Sequence, residues 1–246
     1  MIYIYEEFYA EARRLFALNA ELVTEPTDAQ IESLFKLTGI MLETNKSLNL
    51  TALTDCSQIL LKHYIDSLTV SKYIPEGARI IDIGCGAGFP ALPLAIFRPD
   101  LDITALDATA KRIRYVESTA IALGLENVHA VAARAEEYVN AGNRESFDIA
   151  VARAVAELRT LSELCLGFVK VGGSFISMKG QKGEEELESA ARAIKLCGGA
   201  SSTVIRADLT ENGKEIESRR LIITKKVENT PKIYPRAFAK ISKKPL

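Results

Sequence analysis

The chain has 246 residues, 48% of them apolar, and a formal net charge of −1, enough to bury the core of one α/β domain with an appendage and too balanced for the whole chain to be drawn to nucleic acid or to a membrane surface. No stretch reaches the roughly 20 apolar residues of a membrane span, and the start, MIYIYEEFYAEARRLF, lacks the basic onset and unbroken apolar segment of a signal peptide, so the expectation is a cytoplasmic protein. Its four cysteines, Cys56, Cys85, Cys165 and Cys197, form no C-x-x-C pair and there are only two histidines, which reads as free thiols and gives no zinc spacing.

Residues 1–75 read as a helical extension. Ile31, Leu34, Phe35, Thr38, Met41 and Leu42 recur at spacings of three and four along one helix face, and Thr27 with Gln30 has the form of a capping box. A further helix is predicted over Ser57 to Tyr73, with Asn45 to Leu53, rich in Asn, Ser and Thr, as the connector. From residue 76 to 228 short β-branched runs alternate with helical ones, the pattern of a parallel sheet with crossover helices. Strands are predicted at Arg79–Ile83, Asp102–Asp107, Val128–Ala132, Phe147–Ala152 and Ser174–Met178. The intervening helices are predicted at about Pro90–Phe97, Ala110–Leu123, Ala135–Ala141 and Glu157–Val169. A helix at Glu184–Cys197 leads to two last strands, Ser202–Ala207 and Arg219–Val227, which the turn TENGKE between them makes antiparallel. The fold class is therefore α/β: a doubly wound, Rossmann-like sheet of seven strands with a terminal antiparallel hairpin. Charge is uneven, with eight acids and three bases over residues 1–45 against nine bases and one acid, Glu228, over 218–246. Residues 229–246 read as a basic C-terminal arm.

The stretch IDIGCGAGFPALPL runs from the first predicted strand into Gly84, Gly86 and Gly88, at the crevice where doubly wound sheets hold ligands. A dinucleotide fingerprint needs glycine where Phe89 stands, and Pro90 has no N–H to offer a pyrophosphate. Asp82 to Gly88 instead has the D-x-G-x-G-x-G form of class I methyltransferases that use S-adenosylmethionine (SAM), a cofactor without phosphate. Asp107 ends the second strand, where a carboxylate accepts both ribose hydroxyls of an adenosine in either enzyme class. ARAEEY, with Ala135 and Glu136, follows the third strand, where this class meets the adenine ring, and Phe89 can add an apolar wall. The rival reading makes the glycines a structural turn and both aspartates helix caps or solvated strand ends.

FDIAVARAVAEL after the fourth strand lacks the Asn/Asp-Pro-Pro-aromatic signature of exocyclic amine methylation, and no cysteine is placed for the covalent activation that pyrimidine carbon requires, Cys165 reading as core. An acceptor with its own lone pair, such as guanine N7, needs alignment and desolvation more than a base, and alignment alone is worth about 7–11 kcal/mol. Neither a general base nor a metal is predicted.

NLTALTD, KHYIDSL, IDIGCGAGFPALPLAI, LDATAKR, LGLENV, RAEE, VARAVAEL, MKG and YPR together resemble the glucose-inhibited division protein B family, the bacterial small-subunit ribosomal RNA guanine-N7 methyltransferases, over nearly the whole chain from about Ile31. The resemblance implies methyl transfer from SAM to N7 of one guanine in the 530 loop of 16S ribosomal RNA, with the SAM contacts on Gly84, Phe89, Ala135, Glu136 and Arg153. Gly86 and Asp107 join them from the motif reading. Ala91 stands where the family usually has glycine, and Ala108 and Thr109 where it often has Ser-Leu; these bear on loop shape and affinity. The expected partner is 16S ribosomal RNA or the small ribosomal subunit, engaged by a monomer without a membrane.

Arg153 has two readings, a contact to the SAM carboxylate or an RNA phosphate and a salt bridge to Glu157. His63 and Asp66 in KHYIDSL read as a surface or helix-packing pair, or as catalytic. Lys179, Arg236, Lys240, Lys243 and Lys244 are the candidate RNA contacts, with Tyr234 and Phe238 free to stack on bases or to dock on the domain; Lys111, Arg112 and Lys182 can extend the same patch, and a merely solvated face is the alternative. Two other functions stay open, a methyltransferase of a small molecule or protein, and a non-catalytic ribosome-binding factor with a SAM-shaped domain.

Overall fold

The structure, a computed structural model, describes residues 3–212 and 214–246. The chain opens on α1 (Tyr5–Leu18) and α2 (Asp28–Leu48). The predicted capping box starts α2: Gln30 N–H donates to the Thr27 hydroxyl at 3.3 Å and Thr27 N–H to the Gln30 side chain at 2.9 Å. The helix runs through Lys46 to Leu48, into the predicted connector, and stops at Asn49 with φ 50°. Asn45 then fixes the remaining NLTAL stretch, accepting from the amides of Leu50 at 2.6 Å and Thr51 at 2.9 Å. The next helix begins as α3 (Cys56–Ile59), passes through a π-helical turn at Leu60–Ile65 and ends as α4 (Asp66–Leu68).

The first four strands follow the predicted bounds closely, β1 (Arg79–Ile83), β2 (Asp102–Asp107), β3 (Val128–Ala132) and β4 (Phe147–Arg153), while β5 (Val169–Lys179) starts five residues before the predicted Ser174. Their helices are α5 (Ala91–Phe97), α6 (Ala110–Leu123), α7 (Ala135–Tyr138) and α8 (Leu158–Cys165), followed by α9 (Gly183–Leu196). The helix predicted to reach Val169 is shorter, because Val169 already pairs with Phe147 as the first residue of β5. After β6 (Gly199–Arg206), a separate ribbon of β7 (Leu209–Glu211) and β8 (Lys214–Glu217) intervenes before β9 (Arg220–Lys226). TENGKE is therefore the tip of that ribbon, with Gly213 outside the described residues, and β6 and β9 are antiparallel neighbours joined through it. Helix α10 (Phe238–Lys243) closes the chain.

The strand order is β3-β2-β1-β4-β5-β9-β6, with the first five strands parallel and β9 antiparallel to both neighbours. Side chains alternate between two cores, as the pleat requires. Ile80, Ile103, Ile149 and Ile176 join Phe8, Leu15, Ile31 and Leu34 of the N-terminal helices, together with α5 and α6. Ile81, Leu106, Ala150 and Phe175 face α8, α9 and Ile241 of α10. The N-terminal helices thus share one core with the sheet. The order reverses between β1 and β4, and a crevice opens at the carboxyl ends of these two strands.

The ribbon ties the N-terminal helices to the far half of the sheet. Asn19 exchanges hydrogen bonds with the backbone of Thr210 at 3.0 and 2.9 Å, and Lys62 pairs with Glu217 at 2.6 Å.

Candidate functional site

Gly84, Gly86 and Gly88 form the turn out of β1, with φ of 74°, 57° and 84°, a region that L side chains enter only at a cost of about 1–2 kcal/mol. The turn hangs from the end of β2: the amides of Gly84 and Cys85 donate to Leu106 O at 2.8 and 3.1 Å, and Gly86 N–H donates to Asp107 Oδ2 at 3.0 Å. Gly88 and Phe89 donate back to Cys85 O. Of the amides from Gly84 to Phe89 five are thus consumed internally, leaving Ala87's alone, and Pro90 has none. A pyrophosphate needs unpaired amides at this turn, so the dinucleotide reading loses its ligand while a phosphate-free cofactor keeps its place.

Two cavities meet at Gly84. The smaller, about 210 Å³, is lined by Ile83, Asp107, Ala135, Glu136, Val155 and Phe238 among others. The larger, about 620 Å³, opens between the turn, the N-terminal helices and the ends of β4 and β5. Val155, which lines the smaller cavity, packs on the turn: a Cβ built on Gly84 would lie 2.6 Å from its Cγ2. Asp107 spends one acceptor position of each oxygen on Gly86 N–H and on Thr109 N–H, the latter at 2.7 Å. Each carboxylate oxygen has a second lone pair, so a ribose diol can still be received. The residues present fit an adenosine in the smaller cavity and an extended amino-acid tail toward the larger.

The larger cavity is a charged cleft. Lys62, Arg112, Arg153, Lys179 and Arg219 line it against the carboxylates of Asp66 and Glu186. Asp66 is buried, and accepts from Arg153 Nη1 and from Arg219 Nε, both at 3.0 Å. This corrects the reading of His63 and Asp66 as a surface pair, and Arg153 joins Asp66 and Lys62 O instead of Glu157, which pairs with Arg159. Phe89 is buried between two cleft groups: the His63 ring stacks on it at 4.5 Å and the Arg153 guanidinium lies 5.3 Å from its centroid. Burial, and then the neighbouring Arg153 charge, push the His63 imidazole down to about 3, so it is neutral at physiological pH. Its Nε2 meets the Thr51 hydroxyl at 2.8 Å while Nδ1 has no partner. Beneath the turn, Asp82 Oδ2 accepts from Ala91 N–H at 3.1 Å, and burial raises this carboxyl to about 7. Cys85 lines the cleft, but its thiol is buried and pushed well up by that burial and by Asp82.

Two of the expected RNA-facing side chains are committed elsewhere. Lys179 is partly buried, bonded to Ala156 O at 2.5 Å and to Glu186 at 2.7 Å. Arg236 forks onto Glu163, a fully buried carboxylate, at 2.8 and 2.6 Å. Lys240, Lys243 and Lys244 are exposed on the arm, as Lys111, Arg112 and Lys182 are near the turn. His129 pairs with Asp102 at the opposite end of the strands. The sequence reading missed Arg219, Lys62 and the cleft role of Asp66; a basic pair, Arg219-Arg220, at the start of an apolar strand was the available signal.

A parallel sheet that turns on alternating glycines at its switch point, with an acid ending the second strand and an adenosine-sized cavity beside it, defines a SAM-dependent methyltransferase. The SAM-dependent methyltransferase from Aquifex aeolicus shares this fold, with a TM-score of 0.51, 17% identity and coverage of 70% of this chain and 94% of that one. The sequence profile described as rRNA small subunit methyltransferase G matches residues 30–215. The ribosomal RNA small subunit methyltransferase G of Moorella thermoacetica is 44% identical over 220 residues, 88% of this chain and 90% of the relative. That of Clostridium novyi is 38% identical over 98% of both chains. The chain belongs to the rRNA small subunit methyltransferase G family.

Proposed function

We propose that this protein, acting as a monomer, transfers the methyl group of SAM to N7 of a guanine in the 530 loop of 16S ribosomal RNA, free or within the small subunit. The carrying observation is the cleft itself: five cationic side chains and two carboxylates line a space that opens from the glycine turn. Lys179 is balanced by Glu186, but Lys62, Arg153 and Arg219 outnumber the Asp66 and Glu217 carboxylates that hold them, and Arg112 is exposed; that positive excess attracts a phosphate backbone, at a strength set by salt. SAM supplies an electrophilic methyl group on a sulfonium.

Cys85, His63 and Asp66, which line the cleft, are poor nucleophiles and poor bases. The Cys85 thiol is held protonated by burial, which disfavours covalent activation of a pyrimidine ring. His63 is neutral with a strongly depressed proton affinity, and Asp66 is engaged by two guanidiniums. An acceptor that brings its own lone pair suits this set, because the chain then has only to orient and desolvate it. N7 lies in the deep major groove of an RNA helix, so the target guanine must be unpaired or turned out to enter.

The test is transfer of labelled methyl from SAM to 16S ribosomal RNA, naked and assembled, followed by borohydride reduction and aniline cleavage. Cleavage at one guanine of the 530 loop supports the reading. Label at another atom, or on protein alone, refutes it.

A further inference from the structure

We infer that the C-terminal arm completes the adenosine pocket, with Phe238 as the wall on which the adenine ring lies; the inference rests on the SAM-dependent reading above. Phe238 lines the smaller cavity together with Asp107 and with Ala135 and Glu136, which follow β3. Its backbone N–H donates to Glu136 Oε1 at 3.3 Å, and the Arg134 guanidinium lies 5.9 Å from its ring centroid. A residue more than 100 positions downstream thus reaches the ligand end of the third strand and is bonded to it.

The arm is built to hold that position. Glu163 of α8, with no exposed surface, accepts from Arg236 three times: from the backbone amide at 2.8 Å, Nε at 2.8 Å and Nη2 at 2.6 Å. A carboxylate this deeply buried requires a paired cation, so the Arg236 charge serves as an anchor. Arg144 adds a bond to Tyr234 O at 2.7 Å, and Ile241 of α10 is completely buried against the sheet and α8 side of the core. Between these two anchors Phe238 keeps 39% of its surface exposed. An aromatic ring left half-covered beside a largely apolar cavity presents a face to a planar ligand, and any purine can stack on it. Arg236 and Glu163 are positioning residues for this contact.

The experiment titrates S-adenosylhomocysteine into the full chain by calorimetry, for the wild type, Phe238→Ala and Phe238→Tyr, and measures KM for SAM and for RNA. Phe238 is on the surface, so both variants should melt within a few degrees of the wild type without ligand. Phe238→Ala should raise Kd for S-adenosylhomocysteine about tenfold and raise KM for SAM alike, with KM for RNA unchanged, and Phe238→Tyr should restore wild-type values. An unchanged Kd in Phe238→Ala overturns the inference and leaves the methyltransferase reading intact. A rise confined to KM for RNA also overturns it and assigns the ring to the RNA. A wild type that binds no S-adenosylhomocysteine rejects both readings together.

Discussion

Replacing Gly84 by alanine separates what the glycine turn does for the fold from what it does for the ligand. At φ 74° an alanine pays about 1–2 kcal/mol in dihedral strain. Its Cβ would stand 2.6 Å from Val155 Cγ2 and 3.1 Å from Cγ1, so the valine must move. Val155 is 40% exposed and follows Ala154 at φ 55°, on a loop with room to swing outward. The stability loss should therefore stay at about 1–2 kcal/mol, a fall in Tm of about 2–8 °C for a chain of this size. The ligand has no such escape, because the new methyl group lies on Gly84, where the two cavities meet. Calorimetry should give a rise of at least about tenfold in Kd for S-adenosylhomocysteine, more than about 1.4 kcal/mol. Gly77→Ala is the control: its φ is 67°, its Cβ meets nothing within 4 Å, and it lies away from both cavities. It should lose similar stability and keep its affinity. If Gly84→Ala binds the ligand as tightly as Gly77→Ala does, the turn is not the ligand's cradle.

Asp66→Ala strips the counter-ion from Arg153 and Arg219 in a buried setting and should cost about 3–5 kcal/mol in chemical denaturation; a loss below about 1 kcal/mol would mean the arginines are solvated without it. Asp82, raised from 3.8 to about 7 by burial, binds a proton in the folded state between those values and releases it when unfolded. Stability must then fall as pH rises from about 4 to 7 and level off above, and Asp82→Asn should remove that slope, gaining up to about 4 kcal/mol at pH 8. Urea unfolding at pH 5 and 8 checks this, and an identical pH dependence in both proteins would contradict it. Changing Lys240, Lys243 and Lys244 together to alanine should reduce the slope of log affinity for RNA against log salt by about two to three. A filter-binding slope equal to the wild type's would remove the arm from the RNA surface.

The strands were legible because each buries a short β-branched run between turn residues, and β1 to β3 match their predicted bounds to the residue. Gly84, Gly86 and Asp107 were legible for a related reason: a tight turn and a strand-end carboxylate are encoded within a few positions of each other. What could not be read is what long sequence separation joins. Arg219 reaches Asp66 across 153 positions and Arg236 reaches Glu163 across 73, and a local pattern carries no trace of either partner. For that reason Arg236 and Lys179 read as free charges, although the fold neutralises both. The π-helical turn at Leu60–Ile65 was hidden as well, since LLKHYI contains no glycine or proline to mark it. That turn begins the stretch that carries His63 and Asp66 to the cleft. The β7–β8 ribbon was half visible: its turn residues were plain, but two strands of three and four residues are too short to show a period.

The most direct measurement is a crystal structure of the protein with S-adenosylhomocysteine bound. The ribose hydroxyls should lie within hydrogen-bond distance of Asp107, the adenine between Ala135 and Phe238, and the sulfur past Gly84 at the mouth of the cleft formed by Arg153 and Asp66. Nucleoside density elsewhere, with the glycine turn unengaged, would contradict the assignment of this crevice as the place of methyl transfer.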